Sequence, residues 1–306
     1  MLQLLLLLAA ALLAVLLTHN AAMALLVRHE VKHTARDPET GILLGAEERT
    51  LGPEDADAAV LFVHGHVGAG SNFGDFPDRL AEQGFRVRVM RLPGHGTTPM
   101  EYAKTTNAQL LDAVRAEAAA LRAQHGRVLL VAHSMGATLS TLVAAEGGAD
   151  AVVLVAPYYG VTHRAYYVLP PETWARLTAP VVPWVYKGEL FLQLNRREAV
   201  GEVLSYRIVP TSSLVRMQEL AAQARTPEAL ARIECPVLWI HSTGDVAASY
   251  TVAGETTGLM TNASVEHLRL EKANHHIFFD YERDKATAAV EEFAERLHTA
   301  PLVHGP

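Results

Sequence analysis

A serine hydroxyl is a weak nucleophile until a base takes its proton, and that base must itself be held by an acid. Ser134 stands in VLLVAHSMGATLS, residues 128–140, where an apolar β-type run meets a serine among small residues and then a helix-forming segment. Ala132-His133-Ser134-Met135-Gly136 reads as the A-x-S-x-G form of the nucleophile elbow, a tight strand-to-helix turn that lifts the hydroxyl clear of a sheet. Small flanking residues suit such a strained turn. Candidate partners follow in order. Asp245 closes Ser242-Thr243-Gly244-Asp245, directly after the apolar PVLWIH, and His275-His276 ends the loop after residues 265–270. Serine, acid and histidine, each just past an apolar run, point to acyl transfer through a covalent intermediate. Glu271 and Asp280 compete for the acid role, but neither directly follows the penultimate strand, and both read as solvated charges. Adjacent residues cannot both face Ser134, so one of His275 and His276 is the base.

The tetrahedral intermediate also needs two N–H groups aimed at its oxygen. Met135, directly after the nucleophile and at a helix N-terminus, offers one. The turn His64-Gly65-His66-Val67-Gly68-Ala69-Gly70 offers the other, with the His66 amide as the donor. That glycine-rich turn matches neither G-x-G-x-x-G nor a phosphate-binding P-loop. A metal site on His64, His66 and His95 would lack carboxylate company.

The positioning elements alternate. Apolar runs at 59–63, 128–132, 151–156 and 236–241 read as strands, as do the alternating 85–91 and residues 265–270. Helical spacing marks 71–83, 108–124 and 285–298, and an Ala-rich helix follows Ser134. Such alternation implies a mostly parallel sheet covered on both faces. Residues 157–213 break the rhythm, being rich in Tyr, Trp and Pro, and read as an insertion over the sheet's carboxyl edge. Tyr158, Tyr159, Tyr166, Tyr167, Trp174, Trp184, Phe191 and Leu192 supply its apolar surface, as a substrate-lining lid or as an excursion with its own core.

A net charge of −7 without a basic cluster argues against a nucleic-acid binder. Cys235, the single cysteine, rules out an intrachain disulfide and reads as an inert buried thiol. Residues 1–27 form an apolar leader, interrupted only by Gln3 and Thr18-His19-Asn20. Three fates fit it: a membrane anchor, a signal segment cleaved at Ala22-Met23-Ala24, or a stretch ahead of a start at Met23. An anchor is preferred, and Arg28, Lys32 and Arg36 would then hold the domain, 28–306, in the cytoplasm.

LFVHGHVGAG, RLPGHGTTP (residues 91–99), VAHSMGA, VLWIHSTGD and ANHHIFFDYERD together resemble the α/β-hydrolase superfamily, and within it the carboxylesterase and monoacylglycerol-lipase-like serine hydrolases. The resemblance implies an α/β-hydrolase fold with a mostly parallel eight-stranded sheet, helices on both faces and a helical cap at about 157–213. It selects His275 as the base, since the family's histidine stands five residues before an aspartate, here Asp280. His95 then buttresses the site without reacting. Departures include Ala132 and Ala137 for glycines, and His66 for an apolar residue, which would place a polar side chain in the acyl pocket. The implied activity is hydrolysis of a small-molecule carboxylic ester, medium-chain or lipid-like (monoglyceride or lysophospholipid type), by Ser134, His275 and Asp245 without metal or organic cofactor. Acyl transfer, amide or C–C cleavage, or ligand binding without turnover are the alternatives.

Overall fold

Strands whose side chains are apolar on both sides must be covered on both sides, and that condition organises this chain. The computed structural model describes residues 1–163, 168–188 and 193–299. Helix α1 (Leu2–His33) precedes strands β1 (Arg49–Leu51) and β2 (Ala58–Val63), helix α2 (Phe76–Glu82) and strand β3 (Arg86–Val89). Helices α3 (Pro99–Lys104) and α4 (Asn107–His125) lead to strand β4 (Arg127–His133), helix α5 (Met135–Ala145) and strand β5 (Ala151–Val155). The insertion holds helix α6 (Pro171–Thr178) and strands β6 (Trp184–Tyr186) and β7 (Ile208–Pro210). Helices α7 (Thr211–Ala224) and α8 (Pro227–Leu230), strand β8 (Val237–Ser242), helix α9 (Tyr250–Thr257), strand β9 (Val265–Leu270) and helix α10 (Arg283–Thr299) complete the order.

The main sheet runs β1-β3-β2-β4-β5-β8-β9, antiparallel only between β1 and β3. It has seven strands among the described residues, against the eight expected. Alternate residues feed opposite layers. Leu61, Val63, Leu130 and Ala132 pack with α4, α5 and α7, whereas Val60, Phe62, Leu129 and Val131 pack with α2 and α10. Edge strand β9 carries exposed charges, Glu266 and Arg269, one on each face. Helix α4 is started by a reciprocal cap, with Thr106 and Gln109 each satisfying the other's backbone N–H.

Three expectations change. Residues 71–83 are not one helix: a 3-10 turn, Gly70–Phe73, precedes α2, and Gly74 at φ +63° turns the chain between them. The insertion is not purely helical, because β6 and β7 pair antiparallel within it. Of its aromatics, Tyr158 and Tyr159 belong to the sheet's core, while Tyr166, Tyr167, Phe191 and Leu192 lie outside the described residues.

The leader is a single helix that continues six residues past Val27. Nothing between Arg28 and His33 breaks a helix, and Lys32 and His33 favour its negative C-terminal end. It is long and apolar enough to cross a membrane, and its leucines from Leu2 to Leu17, Leu16 excepted, are exposed. Its second half lies on the insertion. Asn20 Nδ2 donates to the Val181 carbonyl at 2.8 Å, Val27 is buried, and the Arg207 N–H donates to Glu30 Oε1 at 2.9 Å. Burial pushes the Glu30 carboxyl up, against the backbone N–H groups of Arg207 and Ile208.

Candidate active site

The turn from β4 into α5 forces Ser134 to φ +56° and ψ −119°, a conformation that few L-residues adopt. It survives because its surroundings leave no alternative. A Cβ on Gly136 would lie 2.2 Å from the Val63 carbonyl oxygen, and one on Gly65 would lie 3.0 Å from Ser134 Cβ. The β2 loop and the start of α5 therefore pass at backbone distance, with Gly65 against Ser134. Among the described residues neither the His66 nor the Met135 amide donates to a protein acceptor.

Loops after β8 and β9 deliver the other two side chains. His275 Nε2 is 2.9 Å from Ser134 Oγ, and His275 Nδ1 is 2.8 Å from Asp245 Oδ2, with all three residues buried. Burial alone would raise the Asp245 carboxyl, but the charge of His275 and hydrogen bonds from His241 and His275 outweigh it and hold the acid far below the usual carboxylate range. Asp245 is thus an acceptor, His275 donates Nδ1–H to it, and the free Nε2 lone pair faces the serine O–H. Asp245 Oδ1 takes the N–H groups of Ala247 and Ala248 at 2.8 and 2.9 Å. His276 lines the same cavity but points elsewhere, with Nε2 buried and unpartnered.

Sequence reasoning missed several supports. His241 Nε2 lies 3.1 Å from Asp245 Oδ2, and its Nδ1 accepts from Trp239 Nε1 at 3.3 Å, which assigns the N–H to Nε2 and makes His241 a second donor to the acid. The signal was present: Trp239 and His241 alternate on one face of β8, ahead of Asp245. His133 Nε2 donates to the His275 carbonyl at 2.9 Å and pins the histidine loop. His64 Nδ1 donates to Gly65 O at 2.9 Å while its Nε2 accepts the Leu92 N–H at 3.1 Å, tying two loops together. His95, by contrast, was expected as a buttress, and its Nδ1 donates to Pro93 O at 3.0 Å within its own turn.

Asp280 corrects an expectation. Rather than a solvated charge, it is buried and accepts the N–H groups of Asn195 (2.8 Å), Arg196 (3.0 Å), Asn274 (2.8 Å) and Tyr281 (2.9 Å). Its carboxylate supplies the acceptors that four backbone N–H groups in irregular segments would otherwise lack. Asn274 continues the brace, accepting the Val246 N–H from the acid loop at 3.2 Å and the His275 N–H at 2.9 Å. Glu271 is exposed.

A cavity of about 350 Å³ opens above Ser134, walled by Val161, Ala175, Val185, Val209, Leu214 and Met217. The His66 side chain enters it, with Nε2 2.9 Å from Ser213 Oγ. Ser213 Oγ donates to the Pro210 carbonyl at 2.7 Å, so His66 must donate from Nε2 and keep Nδ1 bare. Burial, helped by the charges of Lys187 and Arg216, keeps this ring neutral.

The fold recurs in known proteins. The thermostable monoacylglycerol lipase of Bacillus sp. (strain H-257) is 27% identical over 242 residues, covering 79% of this chain and 91% of that one. LipS and LipT, two metagenome-derived lipolytic enzymes, provide a structure with TM-score 0.73 and 21% identity that covers 83% of this chain and 99% of its own. A soluble variant of monoglyceride lipase from Saccharomyces cerevisiae gives TM-score 0.70 at 14% identity, over 81% of this chain and 91% of that one. The sequence pattern of the family described as serine aminopeptidase, S33, matches residues 54–282. Three quarters of the sequence carries that pattern on a mostly parallel, helix-covered sheet, and the chain belongs to this family of α/β serine hydrolases.

Proposed function

We propose that this protein hydrolyses carboxylic esters with medium-chain or lipid-like acyl groups through an acyl-enzyme formed on Ser134. The observation that carries the reading is the unbroken hydrogen-bond chain from Ser134 Oγ through His275 to Asp245 at the floor of an apolar cavity. His275 Nε2 takes the serine proton as Oγ attacks the ester carbonyl, and Asp245 holds the imidazolium that forms. The His66 and Met135 N–H groups receive the oxyanion, each worth about 3 kcal/mol of transition-state stabilisation. His275 then protonates the departing alcohol, and water repeats the sequence to release the acid. The residues that do this need no metal or organic cofactor.

The family's description leaves amide cleavage as the competing reading, and the cavity supports esters over amino-terminal peptides. An aminopeptidase needs a carboxylate for the substrate's ammonium. Here Glu172 spends Oε1 on the Val161 N–H at 3.0 Å, and a second charged residue on the wall, Lys187, has the opposite sign. Ester identity in the relatives, one of them a monoacylglycerol lipase, points the same way.

A fluorophosphonate probe should label the protein rapidly at Ser134, and Ser134→Ala should abolish both labelling and turnover. Across 4-nitrophenyl esters and monoglycerides of increasing chain length, kcat/KM should rise from acetyl to medium chains. Acetyl preferred over every longer chain would refute the lipid-like assignment, and faster turnover of aminoacyl anilides than of esters would refute the ester reading.

A further inference from the structure

Lys187 is the feature that ester hydrolysis leaves unused. The β6–β7 pairing extends past its last strand residues, because the Lys187 and Gly188 N–H groups both donate to the Arg207 carbonyl, at 2.6 and 3.2 Å. This fixes the backbone from which the side chain reaches the cavity over Ser134. Its charge is felt by two rings that line the same space, His66 and His276, and helps to keep both neutral. The ammonium has no carboxylate and no hydrogen-bond acceptor among the described residues. Glu172, the acidic residue on that wall, is held by the Val161 N–H and lies nearer Tyr158, whose phenol its charge raises.

Other polar atoms of the residues lining this cavity are also unspent. His276 Nε2 and Gln218 Oε1 are buried without partners, and the tautomer of His66 leaves Nδ1 as a bare acceptor. An apolar cavity that draws in a cation and gives it no counter-charge is costly as built, since desolvation weakens the ammonium without repayment. Burial brings its pKa down to about 8, which still leaves it mostly protonated at neutral pH. A ligand that carries the missing negative charge would recover that cost.

We propose that the cavity takes esters bearing a second, anionic group, a carboxylate or a phosphate monoester, which pairs with the Lys187 ammonium. This rests on the ester-hydrolase reading and narrows its substrate class. The anion can stand at the far end of the acyl chain or on the alcohol, and two substrate pairs separate these. For the acyl arm, 4-nitrophenyl hydrogen octanedioate is compared with 4-nitrophenyl octanoate. For the alcohol arm, 1-decanoylglycerol 3-phosphate is compared with 1-monodecanoylglycerol.

In at least one arm the anionic-to-neutral ratio of kcat/KM should drop by about tenfold in Lys187→Met, as for a lost charge-assisted hydrogen bond. Lys187→Arg should retain the ratio, and added salt should lower it in the wild type. Lys187→Gln replaces the methionine variant if that one does not fold. A ratio unchanged within about twofold in both arms would overturn the proposal. Binding separates this failure from failure of the ester reading. With Ser134→Ala, calorimetry should show octyl phosphate binding more tightly than octanol, a preference lost on adding Lys187→Met. That preference without turnover in the wild type would sink the ester chemistry and keep the anion site, whereas turnover without the preference would do the reverse.

Discussion

Asp245 receives more donors than a histidine-orienting acid requires. One oxygen takes two imidazole N–H groups, from His275 and His241, and the other takes two backbone amides. His241 acts through Asp245 and is a positioning residue. Replacing it by Leu removes a charge-assisted bond from a buried carboxylate, which should cost about 2 kcal/mol of stability and lower kcat. His241→Gln, which still offers an N–H, should restore part of both; equal losses in the two variants, by urea melts and steady-state kinetics, would assign His241 to packing alone. Identities at this scale were partly legible. Ser134, Asp245 and the two histidines stand out by order and by what precedes them, but a chain with 15 histidines does not disclose which imidazoles hold loops together. His133 acts by donating to the His275 carbonyl, far away in sequence, and His64 by accepting the Leu92 N–H of a neighbouring loop, and such bonds leave no periodic trace.

At the level of elements, strands were read well because burial on both faces writes itself as continuous apolar runs, as in β5, expected at 151–156 and found at Ala151–Val155. Short edge strand β1 and the β6–β7 pair were invisible, since three residues of ordinary polarity carry no period. Asp280 shows why charge is a poor guide in irregular segments. Without a helix or strand to pair their amides, the histidine loop and the insertion's returning segment share one carboxylate. Asp280→Ala leaves these donors buried and unmet, and should destabilise the protein by about 3 kcal/mol or more while lowering kcat through displacement of His275. Asp280→Asn, which retains one acceptor, should lose less. Hydrogen exchange at residues 193–196 and 274–281 checks the mechanism: protection unchanged in Asp280→Ala would refute the shared-carboxylate brace.

Across the whole molecule, imidazoles are stored neutral. Burial holds His64 at about 4 and His133 at about 3, and keeps His66, His95 and His276 well below the ordinary imidazole value. In the unfolded chain all five protonate near 6.5, so between that pH and their folded values the unfolded state binds more protons. Stability is therefore greatest above about pH 6.5 and falls as the solution is acidified, each group contributing up to about 1.4 kcal/mol per pH unit. Asp245 adds to the trend lower down: its depressed folded value stabilises above the ordinary carboxylate range and is lost below about pH 4. Urea midpoints should stay level from pH 7.5 to about 6.5 and decline from there to pH 5, and a profile flat throughout would contradict neutral storage. Composition hints at this, but only packing decides which histidines are denied water.

The N-terminal rod and the roof over the serine are one mechanical part. Asn20 and Glu30 clasp the strip that carries Val181 and Arg207, and Lys187 hangs from that strip. The contacts that seat the rod therefore reach, by way of the Arg207 carbonyl, the wall from which Lys187 faces the chamber.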